Sequence, residues 1–162
     1  MQWPHDDTQS LIAFYGDPRR PGWHSASLVP FAPPWLMKYK DDAGSVTPVS
    51  HFDVHRKIIT AMTAVFADIW EHYGKSQAAI EAVHLHWYGG CYNYRPIAGS
   101  SRLSTHAFGA ALDLDPEENT FNRSHLSHMP QPAIDAFDKQ GAFWGGRFRT
   151  RQDPMHFQFA HE

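Results

Sequence analysis

Apolar residues recur at intervals of three and four from Val54 through Ile58, Met62, Val65, Phe66, Ile69 and Trp70 to Tyr73. That spacing lays one apolar stripe along a helix, with Ser50 or Asp53 able to cap its start and Gly74 able to end it. This predicts the main core helix. An alanine-rich helical turn is expected over residues 77–82. The period then drops to two in Val83-His84-Leu85-His86-Trp87-Tyr88, which predicts a strand that stops at Gly89-Gly90. Two further strands are expected over residues 111–115 and 155–159. A second helix is expected over residues 132–140, with proline in its first turn and Gly141 past its end.

Residues 16–48 have no such period. Pro18, Pro21, Pro30, Pro33 and Pro34 each forbid a helix interior, and only short strands are expected, at residues 27–29 and 35–39. The segment is too aromatic to be disordered, because rings such as Trp23 and Trp35 can bury enough surface to pin it, in the core or along a groove. The chain therefore reads as a single small α+β domain over residues 1–162. Residues 1–50 form an irregular N-terminal wrap, and residues 51–162 form a catalytic core of helices packed on a largely antiparallel sheet.

Composition narrows the chemistry. A net charge of −3, with Lys and Arg scattered along the chain, makes no basic field for nucleic acid. No apolar run approaches the roughly 20 residues of a membrane span, so no membrane insertion is expected. The polar first ten residues do not resemble a signal peptide, which predicts a soluble cytoplasmic chain, read as a monomer. Cys91 is the only cysteine, so any metal must be held by histidine and carboxylate.

The chain has twelve histidines, and about one pair spaced by four is expected by chance. His51 and His55 are such a pair, but Phe52 stands where a zinc peptidase helix needs glutamate, and helix-surface histidines are expected there. His84 and His86 share a predicted strand face without a completing carboxylate, which suggests structural or groove-lining roles. Cys91 lacks a paired base and reads as a buried or incidental thiol. His125 and His128 fall in a polar loop after Asn122 and are expected to rim the cleft.

Ser104-Thr105-His106-Ala107-Phe108-Gly109-Ala110-Ala111-Leu112-Asp113 and Asp153-Pro154-Met155-His156-Phe157-Gln158 are more specific. The strand period sends Asp113 and Asp115 to one face and both leucines to the other, an expensive arrangement unless solvent or a cation compensates. Gly109 and the small alanines after it allow His106 to fold back beside Asp113. His106, Asp113 and His156 then offer two imidazoles and a carboxylate to one zinc ion (Zn2+). Pro154 places Asp153 in the turn before the last strand, leaning toward the same cavity as a general base. Arg95 could offset the oxyanion of a scissile carbonyl. Read bare, His106 could equally be a surface loop residue and Asp113 a solvated strand end.

The ordered set Tyr94-Arg95-Pro96, Ser104-x-His106-x-x-Gly109-x-Ala111-x-Asp113, Trp144-Gly145-Gly146 and Asp153-x-x-His156-Phe157-Gln158 resembles a family of zinc peptidases that cleave bacterial cell-wall peptides. These are the VanY-type D-alanyl-D-alanine carboxypeptidases and the L-alanyl-D-glutamate endopeptidases of phage endolysins. The resemblance runs from about Tyr94 to the C-terminus and implies the Hedgehog/DD-peptidase-like fold. By motif it implies His106, Asp113 and His156 as zinc ligands, Asp153 as the catalytic carboxylate and Arg95 as the steadying arginine. Ser104, Trp144 and His86 are candidates to touch substrate.

Asp153, where the carboxypeptidases usually carry glutamate, and the Trp-Gly-Gly run both point to the endopeptidase branch. The expectation is a zinc-dependent peptidoglycan peptidase acting inside the stem peptide as a phage or prophage endolysin, reaching the wall after release or as a virion-borne enzyme. The alternatives are a D-alanyl-D-alanine carboxypeptidase and a noncatalytic zinc-stabilised module that binds cell wall or protein.

Overall fold

The computed structural model describes residues 2–97, 99–121 and 127–162, which form an α+β structure of helices and antiparallel strand pairs. Helix α1 (Thr8–Tyr15) begins where the Asp7 carboxylate accepts from the Ser10 amide, and it ends at Gly16, whose φ of 83° is a left-handed turn. It buries Leu11 and Tyr15, and the Tyr15 hydroxyl donates to the Phe159 carbonyl at 2.6 Å. The N-terminal region is thereby tied to the end of the chain.

Helix α2 (Trp23–Ser27) leads into β1 (Leu28–Phe31), which pairs with β4 (Phe52–His55). The hairpin of β2 (Met37–Lys40) and β3 (Val46–Val49) follows the same rule of antiparallel pairing. The wrap over residues 1–50 thus holds short strands close to the two expected at 27–29 and 35–39, as β1 and β2, and in addition two helices and a third strand where irregular chain was expected. Trp23 and Trp35 are buried, their indoles donating to the carbonyls of Tyr15 and Leu85, so both serve the core and neither lines a groove.

The core helix α3 spans Ile59–His72 and buries Met62, Val65, Phe66 and Ile69 as its spacing predicts. It starts later than expected. Phe52 and Val54 also satisfy a period of two, and pairing with the distant strand β1 selects the strand for that stretch. After α4 (Gln77–Ala82) the first four residues of the strand predicted over 83–88 form a turn instead, because His84 adopts a φ of 62° that no strand continues through, while Trp87 bridges to Lys38 and Tyr88 is in a strand. The strand β5 is Tyr88–Gly90 and includes the two glycines expected to end it.

Strands β6 (Ala111–Leu114), β7 (Phe143–Trp144) and β8 (His156–Gln158) complete a four-stranded antiparallel sheet in the order β5-β6-β8-β7. Helix α5 (Gln131–Lys139) lies beneath it, with the Phe137 ring stacked on Phe157 of β8 at 4.0 Å between centroids. Such a pair contributes about 0.5–1.5 kcal/mol beyond its buried area, and it fixes the strand whose opposite face carries His156. No helix of the described residues is long and apolar enough to cross a membrane.

Candidate metal centre

Asp113 and His156 are direct cross-strand partners in the β6–β8 register, so their side chains leave the sheet on the same face. His106 arrives from a single 3-10 turn, Thr105–Phe108, whose first amides are met by the Ser104 hydroxyl accepting from the His106 amide at 3.3 Å. Gly109 ends that turn with a φ of 62°, and a Cβ there would stand 2.7 Å from Leu28 and 3.1 Å from the His55 amide. Only glycine fits both the turn and the contact. On the other side of Asp113, a Cβ at Gly89 would stand 2.9 Å from the Asp113 Cβ, which explains glycine inside β5.

The ligand atoms converge. His106 Nε2 lies 3.1 Å from His156 Nδ1 and 3.2 Å from Asp113 Oδ1, and His156 Nδ1 lies 3.0 Å from Asp113 Oδ1. The protonation of both rings follows from their far nitrogens. His106 Nδ1 lies 2.7 Å from the Cys91 carbonyl, which can only accept, so that nitrogen carries the proton and Nε2 presents a lone pair. His156 Nε2 donates to Gln158 Oε1 at 3.1 Å, an oxygen also reached by the Thr105 hydroxyl at 3.3 Å, leaving the Nδ1 lone pair inward. Two lone pairs and a carboxylate oxygen therefore face one point, with both imidazoles buried and Asp113 half-buried.

Three acceptors so placed repel one another unless a proton or a metal cation stands among them. Burial opposes charge on Asp113, yet the neighbouring His106 and His156 hold its carboxyl well below the ordinary range. Burial likewise lowers the His156 imidazole, and the hydrogen bond and charge of Asp113 reverse this and raise it. The donor set fits zinc. A tetrahedral ion with bonds of about 2.0–2.1 Å separates its ligand atoms by about 3.3–3.4 Å, within a few tenths of the spacing seen.

Asp153 lies beside this cluster, in the turn before β8, where its carbonyl accepts from the His156 amide at 3.0 Å. The turn is held by the Asp153 amide donating to the Gly145 carbonyl at 2.9 Å. A Cβ on Gly145 would lie 2.5 Å from the Asp153 carbonyl oxygen, so the Trp-Gly-Gly run is what permits this approach. The Asp153 Oδ1 is buried without a hydrogen-bond partner among the described residues. Its carboxyl is pushed up to about 6 by burial, against the charges of His156 and Arg95.

A cavity of about 700 Å³ joins these groups, with Arg95, Ser104, His106, Asp113, Asp153 and His156 all on its wall. Arg95 sits on a short hairpin closed by the Ser104 amide donating to the Arg95 carbonyl at 3.1 Å. Trp144 and His86 are not on the cavity wall. The Trp144 indole donates to the Pro154 carbonyl at 2.8 Å and so braces the turn of Asp153, while His86 packs against Trp87.

His51 and His55 are not on a helix. His51 is exposed, whereas His55 is buried in β4 with Nε2 donating to the Tyr15 carbonyl at 3.0 Å. The Cys91 thiol is buried and pushed up by that burial, and the residue contributes through its carbonyl. His128 is exposed, with Nε2 3.9 Å from Glu118, and His125 lies outside the described residues. Asp115 is not on the shared face expected of it, because its φ of 46° turns it out of the strand to accept from Asn119 at 3.0 Å.

Sequence reasoning left Gln158 and Thr105 without a role. The signal for Gln158 is its spacing, since two residues along a strand return to the face of His156. Residues 98–159 match a family model described as D-alanyl-D-alanine carboxypeptidase, a stretch that begins after Arg95 and contains His106, Asp113, Asp153 and His156. No curated protein and no solved structure matches the chain.

Proposed function

We propose that this protein is a zinc-dependent peptidase of peptidoglycan stem peptides. The observation that carries the reading is the convergence of two imidazole lone pairs and a carboxylate oxygen beside Asp153, whose buried oxygen has no partner among the described residues. His106, Asp113 and His156 would hold the ion. Zinc bound there would polarise a scissile carbonyl and lower the pKa of water toward about 7.

Asp153 takes the proton of the attacking water on its carboxylate and passes it to the nitrogen of the leaving amine. Its carboxyl, raised to about 6 by burial, is suited to both halves of that transfer near neutral pH. Arg95, on the same wall, offsets the negative charge that develops on the carbonyl oxygen. Ser104 keeps the His106 turn in place.

Cleavage between L-alanine and D-glutamate is the reading supported by aspartate at position 153, in the setting of a phage or prophage lysin acting after release or from the virion. Release of a terminal D-alanine is supported by the description of the matching family. Mass spectrometry of digested muropeptides separates the two, since one splits the stem and the other frees a single alanine. A noncatalytic zinc module has no use for a buried, unpartnered carboxylate beside the ion. Asp153→Ala is expected to retain zinc and to lower cleavage by about 10²–10⁴-fold. Wild-type cleavage by that variant would overturn the reading.

A further inference from the structure

The cavity holds another pair of opposite charges, outside the roles given above. Asp6 reaches its wall from the N-terminal segment, and Arg102 reaches it from the hairpin that precedes His106. Asp6 lies outside the residues that match the family model. The backbone fixes where each stands. The Asp6 amide donates to the His161 carbonyl at 2.7 Å, and the His161 amide donates to the Pro4 carbonyl at 2.8 Å, zipping the N-terminal segment to the end of the chain. Arg102 is held by the Ile97 amide donating to its carbonyl at 2.8 Å, and its Nη1 donates to the backbone carbonyl of Asp6.

The two side-chain charges are near but not joined. Arg102 Nη2 stands 3.6 Å from Asp6 Oδ2, beyond hydrogen-bond length. Asp6 Oδ1 is buried with no hydrogen-bond partner among the described residues. A carboxylate oxygen offers about two acceptor positions, and leaving those of Oδ1 unmet in a mostly buried side chain is costly. The Arg102 side chain is 41% exposed and the Asp6 side chain 13%, and both stand on the cavity wall, where a ligand meets the two side chains together.

We propose that Asp6 and Arg102 form a subsite for a zwitterionic amino-acid head group, with the ligand's ammonium on Asp6 and its carboxylate on Arg102. This rests on the peptidase reading. In a stem peptide such a head group is the free end of a diamino dicarboxylic acid side chain. The subsite therefore selects stems that carry it over stems in which the amine is acylated or the carboxylate amidated. A spaced ion pair suits this task because each charge meets its complement on the ligand. The separation also weakens the competing internal pair.

The test uses the zinc-loaded full chain and three synthetic stem peptides: one with the free head group, one with its amine acetylated and one with its carboxylate amidated. Wild type is expected to favour the free form in kcat/KM by at least about tenfold over either, the worth of one charge-assisted hydrogen bond. Asp6→Asn should erase the preference over the acetylated peptide while keeping the preference over the amidated one, and Arg102→Gln should do the reverse. Asp6→Asn retains the backbone carbonyl that receives Arg102, and Arg102→Lys is a second variant that keeps charge without the fork.

Equal cleavage of the three peptides by wild type would overturn the subsite, as would variants that lose rate equally on all three, the signature of a merely structural role. Absence of any cleavage by wild type would count against the peptidase reading instead. Calorimetric binding of the same peptides then decides the subsite, with equal affinities overturning it.

Discussion

Around His106, Asp113 and His156 the facing atoms stand 3.0–3.2 Å apart, whereas another histidine and aspartate gathering, His84, His86 and Asp115, never closes. There His84 Nδ1 stands 3.8 Å from Asp115 Oδ1 and the two imidazole rings are 6.5 Å apart. The residue types are the same. What differs is the anchoring behind them. His106 and His156 each give their far nitrogen to a fixed oxygen, which aims the near nitrogen inward. His86 Nδ1 is buried without a hydrogen-bond partner among the described residues, and His84 is exposed on a left-handed turn.

The carboxylates diverge in the same way. Burial alone pushes both Asp113 and Asp115 up, and Asp115 reaches about 6. Asp113 ends well below the ordinary range because two imidazoles lean on it. What separates the two clusters is therefore the aim of their lone pairs.

The contrast is broken most severely by removing one anchored ligand. His106→Ala is expected to strip the ion from the chain and lower cleavage by more than the roughly 100-fold typical of losing a ligand's supporting partner. His84→Ala should leave one zinc per chain. Metal analysis after gel filtration checks both, and equal zinc loss in the two variants would erase the difference between the two clusters.

A subtler break keeps all three ligands and frees one ring. Gln158→Leu removes the acceptor that sets the His156 tautomer, and zinc affinity is expected to fall by about 10–100-fold. Competition with a chromophoric chelator measures it, and unchanged affinity would mean that the ring needs no such anchor.

The smallest effect concerns a histidine held neutral for structure alone. Burial depresses His55 to about 4, with its Nε2 donating to the Tyr15 carbonyl and its Nδ1 accepting from the Lys57 amide at 3.1 Å. Between about 6.5 and 4 the unfolded chain binds a proton that folded His55 refuses, so its contribution to stability is present above that window and is lost as pH falls through it. Thermal unfolding followed from pH 7 to pH 4.5 should show a smaller fall in Tm for His55→Gln than for wild type.

Much of the site was legible because its parts are local. The two-residue period of β6 puts Asp113 on a defined face, Gly109 announces the turn after His106, and Pro154 announces the turn at Asp153. The anchors were not legible, because the Cys91 carbonyl lies fifteen residues before His106 and no side-chain pattern marks a backbone acceptor. The N-terminal half was read least well. Prolines at 18, 21, 30, 33 and 34 signal interruption, yet a short helix fits between two of them, as α2 does between Pro21 and Pro30. At Phe52–His55 both periods are present, so no local rule could choose.

The sequence by itself determined the core face of α3, the limits of α5 and the α+β class, and its short motifs pointed to His106, Asp113 and His156 as residues that meet, because each follows from spacing within about twenty residues or from a short motif. Only the tertiary structure decided the β6–β8 register that sets Asp113 against His156, and the 2.5 Å clearance that demands glycine at 145. It alone brought Asp6 to Arg102 across a separation of 96 residues. Those depend on which distant backbone arrives, and a backbone amide or carbonyl looks alike in every residue but proline until the fold brings it into place.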